Sequence, residues 1–174
     1  ILKRLSVALA HRVALGARWG SRHHGISAMA TRDIILLRHA HAEPAAVGQS
    51  DADRPLSTLG ITEAEAAGAW LKRHGVEPDC MLSSPAARAR QTLERVVAVA
   101  GYTGASEDER IYEATPGDLI RVLDDHPDAD CIVVVGHNPG LESLVSLLAD
   151  GASDNGRGLP PAALAWRRTA HDSP

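Results

Sequence analysis

Residues 33–43, DIILLRHAHAE, run a stretch of buried-strand character straight into an arginine and two histidines. Desolvating such groups at the end of an apolar strand is costly unless something binds them. Two later stretches repeat the pattern: CMLSSPAARAR brings Arg88 into the first helical turns after Ser84 and Pro85, and CIVVVGHNPG ends its apolar run at His137. Arg38, His39, Arg88 and His137 together supply two guanidiniums and two imidazoles. Such a set can hold the peripheral oxygens of a phosphoryl group, with arginine giving forked, charge-assisted contacts that lysine does not. Phosphoryl transfer is mostly positioning and electrostatics. With that much positive charge the site is expected to need no Mg²⁺, and the chain has no Walker-type glycine loop or dense carboxylate cluster to hold one. No metal and no other cofactor is expected.

Positioning these groups requires an alternation of short apolar runs and longer helical segments, which argues for an α/β fold on a mainly parallel sheet. DIILLRH reads as the first strand. After a polar loop, Thr62 and Glu65 form a T-x-x-E capping box for a helix through His74, with Gly75 as its stop. DCMLSS is the second strand, and Ser84 with Pro85 reads as the N-cap and first position of a helix ended by Gly101. RIYEA is a candidate third strand or extended edge. Thr115, Pro116 and Asp118 start PGDLIRVLDDH, CIVVV is a buried strand, and Asn138 with Pro139 caps GLESLVSLLAD up to Gly151. AALAW is the last strand, followed by a charged tail. Each motif thus falls at a strand's C-terminal end just before a helix, and in an open parallel sheet those ends share the edge where ligands bind. Helix N-termini there favour an anion.

The 174 residues suffice for one domain with a real core. That core must come from Ala, Leu and Val, since Phe is absent and aromatics make up 3%. Residues 1–28 carry five Lys or Arg and no acid, leaving 13 basic and 22 acidic groups, a net charge of −9, in the rest. Such a body would repel nucleic acid and anionic membrane, so neither is an expected partner. MATRDIILLRHA from Met29 looks like a natural start. The division expected is therefore an N-terminal extension over 1–28, of transit-type or leader character and outside the fold, and one catalytic domain over 29–174. No apolar run approaches the ~20 residues of a membrane span. Cys80 and Cys131 open strand-like runs and suit buried, reduced thiols in a cytoplasmic protein.

LLRHAHAE resembles the R-H-G/A signature of the histidine phosphatase superfamily, SSPAARARQT its second arginine motif, YEA its acid region and VVGHNPG its second histidine motif, in the same order. The similarity covers roughly residues 31–165 and is strongest to the short SixA-type phosphohistidine phosphatases. It implies a three-layer α/β/α, phosphoglycerate mutase-like fold. Carried over by motif, His39 would be the nucleophile that becomes transiently phosphorylated, Arg38, Arg88 and His137 would bind the phosphoryl oxygens, and Glu113 would be the proton donor. The implied partner is a phosphohistidine-containing protein, with a histidine phosphotransfer domain as one candidate. Where relatives continue with a further strand region this chain gives RRTAHDSP, which puts the final edge strand in doubt.

Three other readings stand beside this one. A phosphomonoesterase of the same superfamily would take small phosphoesters. A phosphocarrier would accept phosphate at His39 without turnover. The H-x-H of His39 and His41 can be a paired-histidine metal site, although flanking arginines would repel a dication. Taken singly, Arg90 is a solvated helix position, His41 and Glu43 are loop residues or pocket rim, and Asp51, Asp53 and Arg54 fix the loop's conformation.

Overall fold

The run Ile34–Leu37 is apolar at every position, so a strand built from it must be buried on both faces. In the computed structural model, which describes residues 30–151 and 158–171, this run lies in β1 (Ala30–Arg38). It is followed by α1 (Thr58–Arg73), β2 (Cys80–Ser83), α2 (Ala87–Ala100), β3 (Ala105–Glu107), α3 (Pro116–Asp124), β4 (Cys131–Gly136), α4 (Gly140–Asp150) and β5 (Leu164–His171). The expected extension over 1–28 lies outside the described residues. The five strands form one sheet in the order β3-β2-β4-β1-β5; all neighbours pair in parallel except β5, which runs antiparallel to β1.

Alternation along the strands divides the core in two. Ile34, Leu36, Ile132 and Val134 face Leu119, Val122, Leu141 and Leu144 of α3 and α4. Ile35, Leu37, Val133 and Val135 face Ala67, Leu71, Leu93 and Val96 of α1 and α2. The three-layer α/β/α arrangement follows directly. Alanine and glycine let the layers approach closely: a Cβ on Gly68 of α1 would stand 2.9 Å from the Val96 carbonyl oxygen of α2. Below the sheet, buried Arg32 donates to the carbonyls of Leu123 and His126 at 3.0 and 2.8 Å, closing the C-terminal end of α3.

Several local expectations are corrected. Helix α1 begins at Thr58, capped by Ser57, whose hydroxyl accepts from Gly60 N–H; Thr62 lies inside the helix and donates to the Thr58 carbonyl. Tertiary packing decides this, because Gly60 sits against the His41 carbonyl, where a Cβ would be only 2.0 Å away. Helix α2 begins at Ala87 with Ala86 at the cap position and no side-chain capping bond, so Ser84 is free for another partner. RIYEA is not a strand: Glu109–Ile111 is a 3-10 turn capped by Asp108, and the third strand is the exposed edge Ala105–Glu107 before it. Asn138 does not cap α4; Pro139 holds that position without a side-chain bond.

The final edge strand is present. The segment expected to be a charged tail belongs to β5, which pairs with β1 from Leu164 opposite Leu37 to His171 opposite Ala30. Its charges suit an edge strand, and Arg168 bonds Asp33 across the pair at 2.6 Å. Helix α3 begins at Pro116 after Thr115 as expected, and Thr115 and Asp118 close a capping box there.

Gly140 opens α4 directly against the loop that follows Tyr112, and a Cβ there would lie 2.0 Å from the Ala114 carbonyl oxygen. Gly140→Ala must therefore displace backbone rather than a pliable side chain, and overpacking of this kind costs about 1–3 kcal/mol. Urea unfolding should show a lowered midpoint with an unchanged slope. An unaltered midpoint would contradict the packing described.

Candidate active site

β1 and β4 are hydrogen-bonded neighbours with Arg38 in register with Gly136. Each is followed by one histidine. The His39 N–H donates to the Gly136 carbonyl at 3.0 Å, extending the pairing one step, and the rings of His39 and His137 end with centroids 4.9 Å apart. On the other side of β4 stands β2, and the helix after it delivers Arg88 from its first turn. The buried Arg88 side chain directs Nε to His39 Nε2, 3.3 Å away. Thr92, one turn on, accepts from the Ala40 N–H at 3.1 Å and donates to the Arg88 carbonyl, tying the histidine loop to α2.

The His39 ring is fixed at its other nitrogen. Nδ1 lies 2.8 Å from the Ala40 carbonyl, which only accepts, so the ring proton belongs on Nδ1 and Nε2 keeps its lone pair. The carbonyl thus holds one ring nitrogen and leaves the other available. Burial pushes the His39 pKa down to about 4; the Arg88, Arg38 and Arg54 charges add to that effect, while the Ala40 bond opposes it. Burial likewise lowers His137 to about 3, with His39 and Arg88 contributing and Asp51 opposing. Both rings are neutral near pH 7 in this state. The positive charge at the site is therefore carried by the arginines rather than shared with the imidazoles.

Arg38 Nη1 donates to the Leu159 carbonyl at 2.8 Å, and the same carbonyl accepts from Asn138 Nδ2 at 3.0 Å. Asn138 also donates to Glu142 at 2.9 Å. His137 Nε2 is 2.8 Å from Ser84 Oγ, a fully buried hydroxyl that also accepts from the Ala86 N–H. Arg38 Nε and His137 Nδ1 are buried and have no protein partner among the described residues.

The structure thus gathers Arg38, His39, Arg88 and His137 at one edge of the sheet. Glu113 is placed differently. It follows Tyr112, whose ring stands edge-on to His137 at 5.5 Å, but it is exposed, has a backbone φ of +52°, and makes no ion pair with either arginine. His41 is exposed and pairs with Glu63 of α1 at 2.7 Å. Arg90 faces solvent near Glu107. A cavity of about 620 Å³ lies at the opposite end of the strands, lined by Thr31, Asp33, Asp79, Asp130, Cys131 and Trp166 among others. None of the convergent groups lines it.

Arg54 holds the loop as the sequence suggests, whereas three links at the site carry no signal in the sequence: Asp51 to Arg88, Tyr112 to Asp51 and Ser84 to His137. Asp51 bonds Arg88 at 2.7 Å and Arg54 at 2.8 Å, Tyr112 donates to Asp51 at 3.2 Å, and Ser84 holds His137. The 3-10 turn Asp51–Asp53 that presents Asp51 is a local device, with Ser50 accepting from the Asp53 N–H. Its position over α2 is not local.

The sequence model of the histidine phosphatase superfamily, branch 1, matches residues 34–121. An uncharacterised Mycobacterium tuberculosis protein is 41% identical over 105 residues, 59% of this chain and 63% of that protein, so the match spans less than two thirds of that relative. Phosphohistidine phosphatase SixA of Escherichia coli is 34% identical over 125 residues, covering 68% of this chain and 74% of its own. Among solved structures, that of the putative phosphohistidine phosphatase SixA from Agrobacterium tumefaciens superposes with a TM-score of 0.72 at 28% identity, over 81% of this chain and 96% of that one.

The depressed histidines carry a pH consequence. A histidine in the unfolded chain takes up its proton near 6.5, whereas these rings in the fold do so only near 4 and 3. As pH falls from about 6.5 toward 4 the unfolded state binds more protons than the folded one, and stability declines. Titration of histidine ring signals by nitrogen NMR should show His39 and His137 neutral at pH 6, with midpoints below 5. A midpoint between 6 and 7 for either ring would contradict the burial and tautomer assigned.

Proposed function

Because the chain belongs to the histidine phosphatase superfamily, branch 1, we propose that it is a phosphohistidine phosphatase, removing phosphate from phosphohistidine on a protein through a phosphorylated His39. The observation that carries this reading is the fixed tautomer of His39: Nδ1 bound to the Ala40 carbonyl at 2.8 Å and Nε2 turned to Arg88. Nε2 attacks phosphorus in line, the N–P bond of the substrate breaks, and the substrate imidazole, protonated on its other ring nitrogen, leaves neutral with the bond's electron pair. The Ala40 carbonyl steadies the charge that develops on the His39 ring. Water then attacks the phosphorus of phosphorylated His39, the Nε2–P bond breaks, and phosphate leaves with the water protons while Nε2 regains its lone pair.

Arg38, Arg88 and His137 are the groups proposed to hold the equatorial oxygens. The guanidiniums give fixed donors whose hold strengthens as charge spreads in the transition state. The Ser84 hydroxyl keeps the His137 ring from rotating away. This chemistry uses the side chains named, the Ala40 carbonyl and water. The domain over 29–174 is the unit proposed to carry it, in a soluble, cytoplasmic setting, with a histidine phosphotransfer domain as the candidate partner.

Two features support a phosphohistidine substrate over a small phosphoester. The connections described between elements hold no helix beyond the three-residue turns Asp51–Asp53 and Glu109–Ile111, so among the described residues no cap domain encloses the site. Glu113 is exposed and pairs with neither Arg38 nor Arg88, which matters little if the leaving group is an imidazole with a conjugate-acid pKa of about 6.5. A poor leaving group such as an alkoxide would need a placed proton donor.

The test is turnover. The protein should release many equivalents of phosphate from a phosphohistidine-bearing protein, and His39→Ala should abolish that release while remaining folded. Release of no more than one equivalent would make His39 a carrier site and overturn the phosphatase reading.

The role of Glu113 separates substrate classes. Glu113→Gln should change the rate on phosphohistidine by less than a few-fold, while any activity on alkyl phosphates falls by roughly 10²–10⁴-fold. An equal, large loss on both substrates would contradict the leaving-group argument.

A further inference from the structure

The loop from β1 to α1 crosses in front of α2, and there Asp51 meets Arg88 twice. Arg88 Nη2 donates to Asp51 Oδ2 at 2.7 Å and Nη1 donates to the Asp51 main-chain carbonyl. Arg88 Nε points to His39 Nε2. A guanidinium is a rigid plane with two usable forks, an end-on pair from Nη1 and Nη2 and a side-on pair from Nε and Nη2. Asp51 takes the end-on fork. The side-on fork is left facing the nucleophile.

We propose that Asp51 is a positioning residue for phosphoryl recognition: its carboxylate and carbonyl fix the rotation of the Arg88 guanidinium so that Nε and Nη2 are presented to the group His39 attacks. This rests on the phosphatase reading of the site.

Asp51 is itself held on several sides. Its Oδ1 accepts from Arg54 Nη1 at 2.8 Å, and Arg54 is anchored by its Nε to the Glu43 carbonyl at 2.8 Å. Tyr112 donates to Oδ2 at 3.2 Å from the loop before α3. The Arg54 guanidinium first, then Arg88 and Tyr112, hold the carboxyl down to about 2, so it stays ionised. A carboxylate that merely stood where phosphate binds would reach the other groups of that set. Asp51 makes no hydrogen bond to His39, His137 or Arg38, and it approaches Arg88 from the far fork. The imbalance in exposure agrees, since the Arg88 side chain is 8% exposed and that of Asp51 53%: the buried member of the pair is the one being oriented.

A double-mutant comparison tests this. Calorimetry with inorganic phosphate and kinetics on a phosphohistidine protein would be run on the wild type, Asp51→Ala, Arg88→Ala and the double variant. Asp51→Ala should weaken phosphate binding and lower kcat/KM by roughly ten-fold, the scale of one partly exposed charge-assisted contact. On the Arg88→Ala background the same change should add nothing, because its effect runs through Arg88. Asp51→Asn, nearly isosteric, should repeat the pattern if the alanine variant folds poorly. Phosphate binding as tight as or tighter than wild type in Asp51→Ala would overturn the proposal, as the signature of a competing anion. An additive penalty in the double variant would overturn it too, as the signature of a loop effect. If the wild type bound no phosphate, or Arg88→Ala cost nothing, the phosphatase reading would fall and this inference with it.

Discussion

A half-buried imidazole gives its one ring proton to the backbone carbonyl of the next residue, and the remaining chemistry depends on that bond. Held in this way, His39 cannot exchange its two nitrogens, and Nε2 is the one offered outward. Burial makes the arrangement persist, because the charged form of the ring is disfavoured well below neutral pH. The proposed role as nucleophile requires a ring that is neutral and aimed, and one hydrogen bond with a desolvated setting favours both conditions.

The fold serves this ring by topology. Neighbouring parallel strands end level with each other, so the residues just past β1 and β4 are brought side by side without a dedicated loop. Placing β2 on the other side of β4 delivers the first turn of α2 to the same edge. Thr92 then locks the spacing between Ala40 and the Arg88 carbonyl. Because buried N–H groups must be paired, this link fixes the distance from the His39 loop to Arg88 more firmly than packing alone would. The glycines of the second histidine motif do work of the same kind: Gly136 and Gly140 admit Ile111 and the Ala114 carbonyl at distances no side chain allows.

The convergence of Arg38, His39, Arg88 and His137 was legible because each signal is local, an apolar run ended by a basic residue or a helix start. Strand order then does the assembling, and the parallel α/β pattern implies it. What could not be read were links between distant segments. Asp51 meets Arg88 across 37 residues, Ser84 meets His137 across 53 and Tyr112 meets Asp51 across 61. Nothing in DADRPLS distinguishes a carboxylate that holds a loop from one that also aims an arginine. Ser84 reads as a helix cap because Ser-Pro satisfies that pattern equally well, yet its hydroxyl serves His137. The start of α1 failed for a related reason, since both Ser57 and Thr62 are competent caps and the contact of Gly60 with the His41 carbonyl chooses between them. In β5 the arginines disguised a strand, as charges on a sheet edge resemble a solvated tail.

The proposed phosphoenzyme turns on a single atom, Nε2 of His39. Rapid acid-free quench after mixing enzyme with labelled phosphohistidine protein, followed by peptide mapping and phosphorus–nitrogen NMR, reports which ring nitrogen carries the phosphoryl group. The structure predicts label on Nε2 of His39 and none in His39→Ala. Label on Nδ1, on His137, or on no histidine at all during turnover would contradict it.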